Sequence, residues 1–230
     1  MRLLMNLPPF PVTRLTDEFS LLKFLLPLSQ DVSHLSCSLG AIDTICHLGC
    51  LAHEIVAVDD ASSDGTAAEA RRYAHFMPLW LIPHSSPQGR ATAFRTSLEA
   101  ACRDIGDNDL LVPIDPRRCV DPYTALRAIA AARAGSEAVI ACGAPAAGDR
   151  GGVAPVQDLA VYRARLIEQH LADFLEFAPT DSADPFSQLQ RYLQFEGVHF
   201  QRLPAPIELP MRGRGAATAR ALMATGLRTQ

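Results

Sequence analysis

Apolar positions along the chain fall into short runs separated by polar, Gly-rich and Pro-rich turns. Leu21 to Leu28 is one such run, closed by Pro27 and by polar Ser29-Gln30-Asp31, and it predicts a buried strand. Leu35, Leu39, Ile42 and Ile45 then recur at helical spacing, which predicts a helix over 32–51 capped by Ser33. Glu54 to Val58 predicts a second strand, ending on Asp59-Asp60. A Ser, Asp and Gly loop over 61–65 leads into an Ala-rich helix over 66–76. A strand over 79–82, a polar turn over 84–89 and a helix over 90–103 follow. Next come a strand over 110–114 ending on Asp115, a helix over 122–134 and a strand over 138–142.

This alternation predicts an α/β fold with a mainly parallel central sheet flanked by helices. Two strands deliver acids to their carboxyl ends, where open α/β sheets place ligands. Residues 144–152 form a Gly, Ala and Pro-rich connection, and 159–175 read as helix or as strand followed by helix. A helix over 185–196 ended by Gly197, a strand over 198–203, a Pro and Arg-rich segment over 204–215 and a short helix over 216–226 complete the chain. The expected division is an N-terminal extension over 1–20, a single domain over 21–215 and a tail over 216–230.

Composition narrows the function classes. The 230 residues are 48% hydrophobic and 20% charged, which fits one sizeable globular domain. The net charge of −4, with no block of Lys and Arg, gives nucleic-acid binding no electrostatic support. Pro8, Pro9 and Pro11 break the apolar start, so it does not read as a signal peptide. No apolar run is long enough to span a bilayer. The expectation is a cytoplasmic protein without a transmembrane segment, its membrane contact at most peripheral. None of the six cysteines forms a C-x-x-C pair, and most sit among apolar residues as buried, reduced thiols do; Cys46, His47, Cys50 and His53 lack a second zinc-ligand pair.

The chemistry concentrates at residues 54–66, where a buried strand brings two carboxylates to its open end and a tight turn starts a helix at once. An acid there can accept a hydrogen bond from a base-ring N–H or a ribose hydroxyl. The plainer alternative is a capped strand-to-helix turn with Asp64 as the cap. The stretch V-D-D-A-S-S-D-G-T over 58–66 resembles the V-D-D-G-S-x-D-G-T fingerprint of glycosyltransferase family 2, departing at Ala61. Residues 25–31 resemble that family's opening strand and P-x-Y-N-E turn, with Pro27 matching and Asp31 at the Glu position. Residues 89–101 resemble its G-K-G-x-A-L helix start, with Arg90 in place of Lys. Residues 109–115 resemble the strand carrying the metal-binding D-x-D, and 196–206 with 211–215 resemble the end of the dolichol-phosphate-mannose-synthase-like branch.

The resemblance implies a GT-A fold binding a nucleotide sugar at the carboxyl ends of the strands, as an inverting hexosyltransferase. By carry-over, Pro27 and Asp31 border the base, Asp59 or Asp60 hydrogen-bonds it, and Arg90 stands near the phosphates. Asp115 is the first acid of the motif for a divalent cation, Mg or Mn. The second acid is missing, because the motif reads Asp115-Pro116-Arg117. Either Arg117, with Arg118, neutralises the diphosphate directly, or catalysis is lost and nucleotide or partner binding remains. A lipid-phosphate acceptor needs no base. A saccharide hydroxyl needs one, for which Asp149 and Asp158 stand in position. A nucleotidyltransferase on a similar scaffold would carry a Gly-rich loop near the N-terminus, which this chain lacks.

Overall fold

The computed structural model describes residues 20–118, 120–141 and 159–204. The elements run β1 (Leu22–Leu28), α1 (Val32–Gly49), β2 (His53–Asp59), α2 (Thr66–Tyr73), β3 (Leu79–Pro83), α3 (Arg90–Ala101) and β4 (Leu110–Pro113). They continue with α4 (Pro122–Arg133), β5 (Ala138–Ala141), β6 (Leu159–Arg163), α5 (Ala164–Phe177), α6 (Pro185–Phe195) and β7 (Phe200–Leu203). The segment 159–175 thus resolves as strand followed by helix. Residues 1–19 of the expected 1–20 extension, the 144–152 connection and the C-terminal helix over 216–226 lie outside the described residues.

All seven strands join one sheet in the order β3-β2-β1-β4-β6-β5-β7. Strand β6 runs antiparallel to β4 and β5, and every other pairing is parallel. Helices cover both faces, which is why β1 is buried at every position and reads as a continuous apolar run rather than an alternating one. Phe24, Leu26 and Leu28 share one core with Leu35, Leu39, Ile42 and Ile45 of α1 and Ala125 and Ile129 of α4. Leu25, Val56 and Val58 share the other with Phe94 and Leu98 of α3, Phe174 of α5 and Leu193 of α6.

Local chemistry sets the helix ends. Asp121 and Asp184 cap α4 and α6, each accepting from the N–H three residues on (Thr124, 2.8 Å; Ser187, 3.1 Å), and each is followed by Pro. Helix α6 stops where Gly197 adopts φ 82° and the Val198 N–H bonds back to the Leu193 carbonyl at 2.9 Å. Two expected caps differ. Asp31, not Ser33, precedes α1, and its carboxylate is drawn away from the helix by other partners. Gly65, at φ 97°, occupies the cap position of α2, although Asp64 still accepts from the Thr66 N–H at 3.0 Å.

At the edge of the sheet where β1 and β2 begin, Lys23 faces Glu54 across the parallel pair at 3.0 Å, both about 1% exposed. The ammonium also donates to the carbonyls of Ala101, at 3.0 Å, and Asp104. Burial pushes the Glu54 carboxyl above its ordinary value, and Lys23 offsets only part of that.

Candidate functional site

Strands β1, β2 and β4 are parallel neighbours, so their carboxyl ends meet at one edge. Chain progress across the sheet runs from β1 to β3 in one direction and resumes on the other side of β1 at β4. Such reversals are where open α/β sheets bind ligands. The loops after β1 and β2 are tied together there. Gln30 N donates to Ser62 Oγ at 3.1 Å, Asp31 N to Thr66 Oγ1 at 2.9 Å and Val32 N to Asp64 Oδ2 at 3.1 Å. Both loops include a non-glycine residue in the left-handed region, Gln30 at φ 56° and Ala61 at φ 52°.

Asp59 and Asp60 are both 3% exposed at the end of β2. Both Asp60 oxygens are engaged. Oδ1 accepts from His84 Nδ1 and the Gln88 N–H, and Oδ2 from the Gly89 N–H, each at 2.8 Å. Burial works against its ionisation, but these bonds outweigh it and hold the carboxyl below its usual value. Asp60 thereby anchors the loop between β3 and α3. Asp59 Oδ2 accepts from the Ser62 N–H at 3.2 Å, while its buried Oδ1 has no partner among the described residues.

Asp31 is fully buried and sits between two arginines. Arg90 Nη2 lies 2.7 Å from its Oδ2 and Arg117 Nε 3.0 Å from its Oδ1. The Ser29 N–H also donates to Oδ2 at 2.7 Å. Backbone carbonyls steady both guanidiniums, Pro27 O for Arg90 and Ser29 O for Arg117, each at 3.1 Å. Asp115, on the loop after β4, accepts from the Arg117 N–H at 3.0 Å. Arg90 Nη1 stands 3.6 Å from its Oδ1 and Arg118 Nε 3.5 Å from its Oδ2. The result is two carboxylates interleaved with three guanidiniums.

The family model for glycosyl transferase family 2 matches residues 39–193, well over half of the chain. The chain belongs to glycosyl transferase family 2. Solved structures with a similar fold include the mannosyltransferase PcManGT of Pyrobaculum calidifontis in complex with GDP-Man and Mn2+. That likeness has 20% identity, a TM-score of 0.60, and covers 90% of this chain and 62% of that one. Residues 1–349 of S. aureus TarS match at 16% identity and a TM-score of 0.58, over 80% of this chain and 60% of that one. The 4-diphosphocytidyl-2C-methyl-D-erythritol synthase of Anaerococcus prevotii matches at 15% identity and a TM-score of 0.55, over 82% and 88%. At these identities the likeness establishes the fold. The chain spans about 60% of the length of the first two. No curated protein matches the chain.

Within the family 2 frame, the structure gathers Pro27, Asp31, Arg90, Asp115 and Arg117 into one bonded cluster, with Asp59 and Asp60 on the adjoining loop. Asp158 and Asp149 lie outside the described residues, as do Arg212 and Arg214. Three participants escaped the sequence reading. His84 grips Asp60 and also contacts Thr96 Oγ1 at 3.1 Å. Gln30 bridges two loops, its Oε1 accepting from the Ser63 N–H at 3.3 Å. Asp184 caps α6 within the field of Arg118. His84 and Gln30 work through partners distant in sequence, so local pattern carried no signal for them, and the cap role of Asp184 is local but its nearness to Arg118 is not.

A divalent cation does not fit the residues described here. Both Asp115 oxygens already face guanidinium groups. The second acid of the motif is Arg117, whose charge is aimed at Asp31. Among the described residues no three His, Cys, Asp or Glu side chains gather to hold a metal. A cation there would meet guanidinium charge, and the two carboxylates present, Asp31 and Asp115, are already paired with arginines.

Proposed function

We propose that this chain binds a nucleotide sugar at the carboxyl ends of β1, β2 and β4 and transfers the sugar, with inversion, to an acceptor. The observation that carries this reading is Asp59 Oδ1, a buried carboxylate oxygen with no partner among the described residues. Leaving such an oxygen dry and unbonded costs stability, so it suits a ligand N–H. A base-ring N–H or a ribose hydroxyl fits that need. Asp60 and Asp31, with their oxygens engaged, act as positioning residues: Asp60 holds the β3–α3 loop, and Asp31 aims Arg90 and Arg117. Pro27 borders the same space and steadies Arg90 through its carbonyl.

Two fold neighbours support a nucleotide sugar as donor. The PcManGT structure contains GDP-Man, and a TarS structure contains UDP-GlcNAc. In the transfer, an acceptor oxygen attacks the anomeric carbon from the face opposite the diphosphate. The bond from that carbon to the phosphate oxygen breaks, and the diphosphate leaves with the electron pair. A lipid-phosphate acceptor, in keeping with the dolichol-phosphate-mannose-synthase-like branch, arrives already anionic. A saccharide hydroxyl needs a base, and Asp158 is the residue placed for it by sequence. Among the described residues no helix is long and apolar enough to cross a membrane. As part of this proposal the protein is cytoplasmic, its membrane contact at most peripheral. The catalytic unit we assign to residues 21–215.

The absent second acid favours one alternative, a family member that binds nucleotide without transferring sugar. Thermal-shift screening against UDP-, GDP- and TDP-sugars tests binding, because a ligand selective for the folded state raises Tm. Release of nucleoside diphosphate from the stabilising sugar nucleotide, with and without acceptor, then separates transferase from binder. A chain that no nucleotide sugar stabilises would overturn both.

A further inference from the structure

Resting on that reading of the site, we infer that the guanidinium groups of Arg117 and Arg118, backed by Arg90, take the place of the divalent cation and bind the donor's diphosphate without metal. Three observations lead there. First, the position of the missing acid holds Arg117, and its orientation is built. Nε is 3.0 Å from buried Asp31 Oδ1, Nη2 is 3.1 Å from the Ser29 carbonyl, and its backbone N–H bonds Asp115. A planar fork pinned along one edge presents its remaining donors in a fixed direction, which is how arginine meets phosphate oxygens.

Second, exposure divides the roles. Arg90 is 11% exposed, locked between Asp31, Asp115 and the Pro27 carbonyl. Arg117 and Arg118 are 53% and 44% exposed, so their free edges remain open to a ligand. Third, the charge balance gives a dication nothing to hold. Asp31 and Asp115 offset two of the three guanidiniums, and Asp184 near Arg118 offsets a third at longer range. A dication entering this set gains little attraction, whereas a diphosphate finds oriented donors whose counter-charges are already held in place. Asp115 in this arrangement positions Arg117 and Arg118 instead of ligating an ion.

The experiment is a set of calorimetric titrations of UDP, GDP, uridine and guanosine, each in EDTA and in manganese. For whichever base binds, the diphosphate is expected to bind with a Kd that changes by less than about threefold between the two conditions. It should bind at least about tenfold more tightly than its nucleoside, the scale of one charged hydrogen bond. Arg117→Asp should weaken binding in EDTA by about tenfold or more and make it manganese-dependent, while leaving the nucleoside unaffected. Arg118→Ala does not touch Asp31 and guards against misfolding of the first variant; it should also weaken the diphosphate selectively. Wild-type binding seen only with manganese, or diphosphate and nucleoside binding equally, would overturn the arginine clamp while leaving the nucleotide site standing. No binding of any nucleotide in either condition would overturn both.

Discussion

The Asp59 and Asp60 carboxylates are adjacent in sequence and equally buried, yet Asp60 is saturated by three donors while Asp59 Oδ1 meets none among the described residues. The pair therefore separates binding from folding. Asp59→Ala should weaken nucleotide binding by roughly 1–3 kcal/mol, the worth of a charged hydrogen-bond partner. Asp60→Ala should instead cost roughly 1–3 kcal/mol of stability, because it removes the charged hydrogen bonds that tie His84 and the β3–α3 loop to the end of β2. Calorimetry and urea unfolding on both variants check this. If Asp60→Ala abolished binding at unchanged stability, the assignment would be reversed.

Ala61 sits at φ 52°, where the family fingerprint has glycine. The left-handed conformation costs an L-residue roughly 1–2 kcal/mol. Glycine removes that strain but gives back about 0.4–1 kcal/mol through the greater freedom of the unfolded chain. Ala61→Gly is thus expected to be neutral or to stabilise by up to about 1.5 kcal/mol, read as a rise in the urea midpoint. A clear loss of stability would contradict the backbone assignment in this turn.

The buried Lys23–Glu54 pair has a pH signature. Lys23→Met leaves a buried carboxylate without its cation and should cost roughly 3–5 kcal/mol at neutral pH. The folded pKa of Glu54 lies above its ordinary 4.5, so the folded state holds the proton more tightly than the unfolded chain. That contribution is full below about 4.5 and is lost as pH rises through the folded value. The variant's deficit should therefore shrink on acidification as Glu54 takes up a proton. Equal deficits at pH 7 and pH 5 would place the damage in packing instead of charge.

Asp60, Asp64 and Asp184 act in the opposite sense. Burial alone would raise each of them, but hydrogen bonds prevail and hold all three below 3.8. Their stabilisation is complete above that value and is lost as pH falls through the depressed folded values. Unfolding midpoints should drop steeply below about pH 4. Asp184→Asn, which removes one of the three titrating groups, should flatten that drop; an unchanged slope would remove Asp184 from the account.

The order of elements and the family were legible in the sequence because their signals are local. Strand and helix differ in hydrophobic period, and the V-D-D-A-S-S-D-G-T stretch is contiguous. The ends were less legible. Ser33 had the right chemistry for a cap, but the turn before α1 is set by contacts with the next loop, 30 and more residues away. The Pro27, Asp31, Asp59, Asp60, Arg90, Asp115 and Arg117 set could be nominated from spacing and resemblance. Sequence could not assign their work, because adjacent acids such as Asp59 and Asp60 look alike until their partners are known.

By itself, then, the sequence determined a mainly parallel α/β sheet, acids at the carboxyl ends of two strands, and a metal motif with arginine where an acid is usual. Only the tertiary structure decided that β6 runs antiparallel between β4 and β5. It alone showed that Asp31 is enclosed by Arg90 and Arg117, and that both Asp60 oxygens are occupied while buried Asp59 Oδ1 has no partner among the described residues. The physical reason is range. Periodicity and turn chemistry act over a few residues. A carboxylate's role depends on donors that reach it from strands and loops tens of residues away, and these meet only once the sheet is assembled.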